Sequence, residues 1–219
     1  MVKVEETTQG VLDKISEGFA QKGAFNLRQN GISICHGDSE HIKIKKKEDK
    51  PGIDIFIDGE TKGEKVFIPV VVSVSGMTDL VYNDFYVADG ADVDIVAGCG
   101  IHNSGCNDSR HDGIHTFHVG KNANVHYEEK HYGEGNGTGS RVLNPVTNIE
   151  LGENSVFTLD TVQIKGVDSN RQGCLHQVLY LIFTQFANTH HPKDNRGQTL
   201  IFSKLNIVHV RLLFILLSL

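Results

Sequence analysis

Tryptophan is absent from this chain, proline occurs four times, and aromatic residues make up only 7% of it. Set beside 23 glycines, that scarcity suits many tight turns between short strands better than packed helices. The four cysteines, Cys35, Cys99, Cys106 and Cys174, are too few and too scattered for a disulfide framework in 219 residues, which points to a reducing compartment. No apolar run approaches the roughly 20 residues that span a bilayer; the longest, 178–186 and 212–219, stop well short, so no membrane helix is expected. The first ten residues lack a basic stretch followed by an apolar one, so they do not read as a secretory signal, and the cytoplasm is the expected location. A net charge of −6 gives no reason to expect a nucleic-acid partner.

Familiar catalytic signatures are missing as well. The glycine-rich stretch 133–139 has neither the Lys nor the Ser/Thr of a nucleotide-binding loop and no helix pattern follows it, so it reads as a turn. There is no serine nucleophile elbow and no carboxylate pair that can be placed across a cleft. His115 and His118 depart from the His-x-His spacing that puts two ligands on one face of a strand. No catalysis of its own is expected.

What the chain does have is an echo at 32 residues. Phe85, Val87, Ala91, Val93 and Ile95 recur as Phe117, Val119, Ala123, Val125 and Tyr127, and more weakly as Ile149, Leu151, Ser155, Phe157 and Leu159. Each copy alternates apolar and polar residues on either side of a Gly/Asn turn. Alternation marks strands with one buried face, and a fixed period means that each unit buries that face on its neighbour. The expected fold is all-β, a β-helix or β-solenoid. It begins near Ile53, where Ile53, Ile55 and Ile57 alternate with polar partners, and continues through a Val-rich strand over 66–74 buried on both faces.

Before the repeats, Val11, Leu12, Ile15 and Phe19 fall on one helical face, closed by Gly18 and Gly23. Residues 32–44 read as a strand pair turning near Gly37, and 43–50 as a solvated charged stretch. The chain therefore divides into an N-terminal helical segment (1–30), a solenoid core (31–172) and a divergent tail (173–219). In that tail only Gly197 of the 23 glycines follows Gly173; the segment from Cys174 carries +3, while 17 basic and 26 acidic residues give the rest −9. Turn spacing and alternation stop there, so the tail is expected to be out of frame, poorly packed and without function.

Six of the twelve histidines and two of the four cysteines lie between Cys99 and His131. Thiolate and imidazole suit zinc, copper and iron–sulfur chemistry, which makes Cys99, His102, Cys106, His111 and His115 the candidate metal ligands. Their spacing matches no established zinc pattern. Strand parity points His118 and His126 outward and His115 inward with Phe117, where it is either a ligand or a hydrogen-bonded core residue.

Several long words resemble one family. Lys50-Pro51-Gly52-Ile53-Asp54-Ile55, Val81-Tyr82-Asn83-Asp84-Phe85-Tyr86, Ala97-Gly98-Cys99-Gly100-Ile101-His102-Asn103, Arg110-His111-Asp112-Gly113-Ile114-His115, Glu129-Lys130-His131-Tyr132-Gly133-Glu134-Gly135 and Thr161-Val162-Gln163-Ile164-Lys165-Gly166-Val167-Asp168-Ser169 are similar to the short form of the SufB/SufD family, over roughly residues 10–172. The resemblance implies a cytosolic scaffold subunit of the SUF iron–sulfur cluster assembly machinery. It implies a β-helix core, a transient iron–sulfur cluster, and partnership with a SufC-type ATPase and a second SufB/SufD-like subunit or a second copy of the chain. Cys99 matches the family's Gly-Cys position, implying sulfur or iron handling, and His115 matches the His that opens the following strand, implying a supporting role. The tail resembles nothing in the family's ending, where its members carry their ATPase-docking helices. The competing readings are a metal-dependent β-solenoid enzyme using residues 99–131 and an inactive truncated member.

Overall fold

A computed structural model describes residues 3–17, 19–176, 179–185, 198–200 and 207–214, with side chains as far as residue 168. One helix, α1 (Glu6–Ile15), precedes the strands β1 (Ala24–Gln29), β2 (Ile32–Gly37), β3 (Ile42–Lys46), β4 (Gly52–Ile57), β5 (Lys62–Phe67), β6 (Val70–Val72), β7 (Thr78–Val87), β8 (Asp92–His102) and β9 (Ser109–Val119). There follow β10 (Asn124–Glu134), β11 (Arg141–Leu143), β12 (Val146–Leu151), β13 (Val156–Lys165), β14 (Ser169–His176), β15 (Leu179–Gln185), β16 (Gln198–Leu200) and β17 (Ile207–Phe214). From β6 to β11 successive strands alternate between two facing sheets. The first runs β16-β17-β13-β10-β8-β5-β1-β2 and the second β11-β14-β12-β9-β7-β4-β3. The chain is a β-solenoid of about four turns with a short N-terminal helix.

The 32-residue period sets the stacking register. Val93, Val125 and Phe157 lie side by side on β8, β10 and β13, and Phe85 lies beside Phe117 on β7 and β9. The turns repeat as well: Gly90, Asn122 and Asn154 have φ of +74°, +54° and +58°, the left-handed region open to Gly and Asn. Gly120 is required for another reason, since a Cβ there would sit 2.6 Å from the Asp89 backbone nitrogen of the coil below. Half of the interior is apolar. Its centre is the stacked pair Phe85–Phe117, 4.3 Å apart, with Phe157 4.9 Å from Phe117.

Four expectations shift. The helix occupies Glu6–Ile15 rather than ending at Phe19; Val11, Leu12 and Ile15 are buried, while Phe19 lies beyond the helix against Phe25 and Phe67. The helix lies on the outer face of β8, where the absence of side chains at Gly98 and Gly100 lets the Ile15 carbonyl and Val11 come close. The strands within 32–44 exist but do not pair with each other: β2 pairs with β1 and β3 with β4, both antiparallel. The reason is a hairpin at Asn30-Gly31, with φ of +47° and +79°, an Asn-Gly turn signal in the sequence. The charged stretch 43–50 is not wholly solvated either. Lys47 is only 6% exposed, with its ammonium between Asp54 and Asp84. Finally, the 66–74 strand breaks at Pro69 into β5 and β6, although Val70, Val71 and Val72 are all buried.

The tail enters the sheets. Strand β14 spans the boundary near residue 173 and lies parallel to β12, and β17 lies parallel to β13 in unbroken register from Val156↔Ile207 to Gln163↔Phe214. The last coil offers unpaired backbone groups that any extended chain can meet, so this pairing does not require the tail to continue the repeat. The expected poor packing of the tail's side chains falls outside the described residues. Among the described residues, no helix is long and apolar enough to cross a membrane.

Candidate functional site

The other half of the interior is polar. Because inward positions repeat every second residue, the strands that bring Phe85, Phe117 and Tyr127 inward also bring in Asp79 and Asn83 on β7, His111 and His115 on β9, and Glu129 and His131 on β10, all buried. Cys99 on β8 lies in register with His131, and Ala97 with Glu129. Tyr127 stands at the border, its ring 4.8 Å from Phe117 and 5.9 Å from His115, and its hydroxyl donates to Glu129 at 2.8 Å.

Of the five candidate ligands, Cys99, His111 and His115 enter this polar half. His102 and Cys106 do not. His102 sits at the outer end of β8 with Nδ1 3.0 Å from Glu134, and Cys106 is exposed between β8 and β9. Parity explains the division, since position 102 is an odd step from Cys99. His118 and His126 face outward as expected, each beside a carboxylate: His118 meets Glu150, and His126 lies between Asp94 and Asp160. Among the described residues, no three His, Cys, Asp or Glu side chains are grouped to hold a metal ion.

Sequence reasoning missed Arg28, Asp79, Asn83 and Glu129 as members of the site and left His131 outside the chosen set. Parity with Tyr127 was a signal for Glu129 and His131. None existed for Arg28, whose guanidinium reaches Asp79 from β1 with Nε and Nη2 at 3.0 and 2.7 Å. His111 Nδ1 approaches the same carboxylate at 3.1 Å. Burial alone would raise the Asp79 pKa, but the hydrogen bonds from His111 and Arg28 and the guanidinium charge outweigh it and hold it well below the usual carboxylate range. His115 Nδ1 faces the Asn83 amide nitrogen at 3.5 Å, and the Asn83 oxygen accepts from the Ile53 backbone N–H at 3.3 Å.

Burial governs the remaining groups. It pushes the Cys99 thiol far up, assisted by the charges of Glu129 and Asp79, so Cys99 is protonated at neutral pH. Burial also brings His115 down to about 3 and His131 to about 4, which keeps both imidazoles neutral. It raises Glu129 to about 7 despite the Tyr127 hydrogen bond, leaving one interior carboxyl that titrates near neutrality.

The Glu129 shift carries a pH signature. A carboxyl raised from 4.5 to about 7 favours the fold fully below pH 4.5, and that contribution is lost as pH rises to about 7. Denaturant unfolding across this range is expected to show stability falling with pH in the wild type relative to Glu129→Gln. The depressed imidazoles push the opposite way in both proteins and cancel in the difference. Parallel curves would refute the assignment.

A pocket of about 340 Å³ opens to solvent beside β1 and β4 and reaches Arg28 and Asn83, with Lys46, Lys47 and Lys50 at its rim. It gives the polar half a contact with the outside. A larger groove, about 700 Å³, runs along the second sheet over the stacked rings of Phe56, Tyr86 and His118 and includes none of the polar interior residues. Set against known proteins, the chain matches no family model and no curated protein.

Proposed function

We propose that this chain is a scaffold subunit for iron–sulfur cluster assembly, without catalysis of its own, working in the cytoplasm with a SufC-type ATPase and a second SufB/SufD-like subunit or a second copy of itself. One observation carries the reading: the thiol of Cys99 and the imidazoles of His111, His115 and His131 line one half of a solenoid interior. The SufB/SufD-like words supply many of these residues, and the absence of a nucleotide-binding loop assigns ATP hydrolysis to the partner. Iron and sulfide are the cargo. Cys99 is a neutral thiol at rest, so binding of iron to its sulfur displaces its proton. Glu129, two residues before His131 on β10, is an interior group able to exchange a proton near pH 7.

Anaerobic reconstitution of the full chain with ferrous iron and sulfide tests this. The wild type is expected to develop visible cluster absorbance, Cys99→Ser to lose it by a factor on the order of 10 or more, and Cys106→Ser, altered at an exposed thiol, to retain it. Undiminished absorbance in Cys99→Ser removes the assignment. Stoichiometric zinc with hydrolytic activity and no cluster favours the metal-dependent enzyme instead.

A further inference from the structure

Between His111 and His115 on β9 lies Gly113, the inward position that carries no side chain. A Cβ built there would stand 2.8 Å from His115 Nε2 and 3.2 Å from His111 Nε2, so both imidazoles lean over the glycine from opposite sides and bring their Nε2 atoms to one small space. Each histidine is only 3% exposed. Neither Nε2 has a hydrogen-bond partner among the described residues, and the hydroxyl of Thr147, in register with His115, has none either. Buried polar groups are rarely left unmatched, and two imidazole nitrogens converging over one glycine, with a third unmatched group on the neighbouring strand, point to something that binds there.

We propose that His111 and His115 bind one divalent first-row transition-metal ion through their Nε2 atoms in the space over Gly113. The far sides of both rings fit this role. His111 Nδ1 donates to Asp79, which is itself fixed by Arg28, the carboxylate–histidine arrangement that orients a metal-bound imidazole and raises its basicity. His115 Nδ1 faces Asn83 instead. When Nε2 takes a metal, Nδ1 must carry the ring's proton, so the Asn83 amide turns to present its oxygen, at the cost of the long hydrogen bond from Ile53, whose N–H then faces the amide nitrogen. Neutral imidazole nitrogen suits iron, zinc, nickel and copper. Two protein ligands leave the other positions to exchangeable groups, unlike the four ligands of a structural zinc site, so the ion is held in transit, and the solvent-open pocket reaches Asp79's partner Arg28 and His115's partner Asn83. That the physiological ion is ferrous iron rests on the scaffold reading; the site itself does not.

Cobalt(II), added anaerobically to the full chain without sulfide, is the probe, read by its visible ligand-field bands and by calorimetry. The expected result is one ion per chain. Gly113→Ala places a methyl group in the binding space at a position with no left-handed backbone requirement, where only the tips of two side chains must give; it is expected to fold and to weaken binding on the order of 100-fold. His115→Gln is expected to weaken it similarly. Asn83→Asp, which lets a carboxylate accept from both Ile53 and His115, is expected to tighten it on the order of 10-fold. His118→Ala and His126→Ala, on the outer face, leave it unchanged. No cobalt bound by the wild type, or equal affinity in Gly113→Ala, overturns the site. Because no sulfide is present and Cys99 is intact, this outcome is independent of cluster reconstitution.

Discussion

Replacing Asp79 with alanine is expected to cost about 3–5 kcal/mol of folding free energy, the range for breaking a buried ion pair by removing one partner. Asp79 and Arg28 are both nearly fully enclosed, with side chains 2% and 7% exposed, and the guanidinium reaches the carboxylate through two nitrogens. Alanine leaves a guanidinium that cannot deprotonate facing His111 inside the solenoid, with no carboxylate to offset either. Urea unfolding monitored by circular dichroism gives the number. The same carboxylate fixes a pH signature opposite in sense to that of Glu129. Its folded pKa lies below the ordinary 3.8, so its contribution is fully present above that value and is lost as pH falls through the folded pKa. Asp79→Asn, close in shape but uncharged, is expected to flatten the acid limb of the stability curve. An unchanged acid limb would show that the carboxylate is not the anchor.

Phe117→Ala is expected to destabilise by a comparable amount, about 3–5 kcal/mol for an aromatic side chain removed from a core. Phe117 is fully buried and joins the coils: it stacks on Phe85 below and meets Phe157 and Tyr127 across the interior at 4.9 and 4.8 Å. Truncation opens a cavity between coils that rigid sheets cannot close. Each solenoid turn is stabilised mainly by its neighbours, so the loss is expected to appear first as faster hydrogen exchange in β7, β9 and β12. The outward ladder supplies the contrast. Phe56 and Tyr86 stack at 5.0 Å but remain half-exposed, so Phe56→Ala removes much less buried area. Equal losses at positions 56 and 117 would contradict the assignment of inner and outer faces.

The 32-residue echo and strand parity made much of this legible before any coordinates. They placed Phe85, Phe117, Val93, Val125 and Phe157 in one shared interior, turned His115 inward, and turned His118 and His126 outward. Carried two to four residues further along the same strands, parity also reaches His111, Glu129 and His131. Cys106 was gathered with Cys99 by nearness in sequence, which counts for little where a chain turns between sheets and sends neighbouring side chains to opposite faces.

The sequence determined the solenoid and the direction in which each strand residue points, because both follow from a local alternation repeated at constant period. It could not determine which polar groups meet. Arg28 reaches Asp79 across 51 residues from a strand outside the repeat; Asn83 stands beside His115 at 32; and the two unpartnered imidazole nitrogens converge over Gly113 only because the rings lean toward it from either side. Those contacts, the two rings leaning toward the glycine between them included, were decided by the tertiary structure alone, since they depend on how the coils stack and on which rotamers the enclosed space permits. The same enclosure, by excluding water, protonates Cys99, neutralises His115 and His131, and brings Glu129 to neutrality.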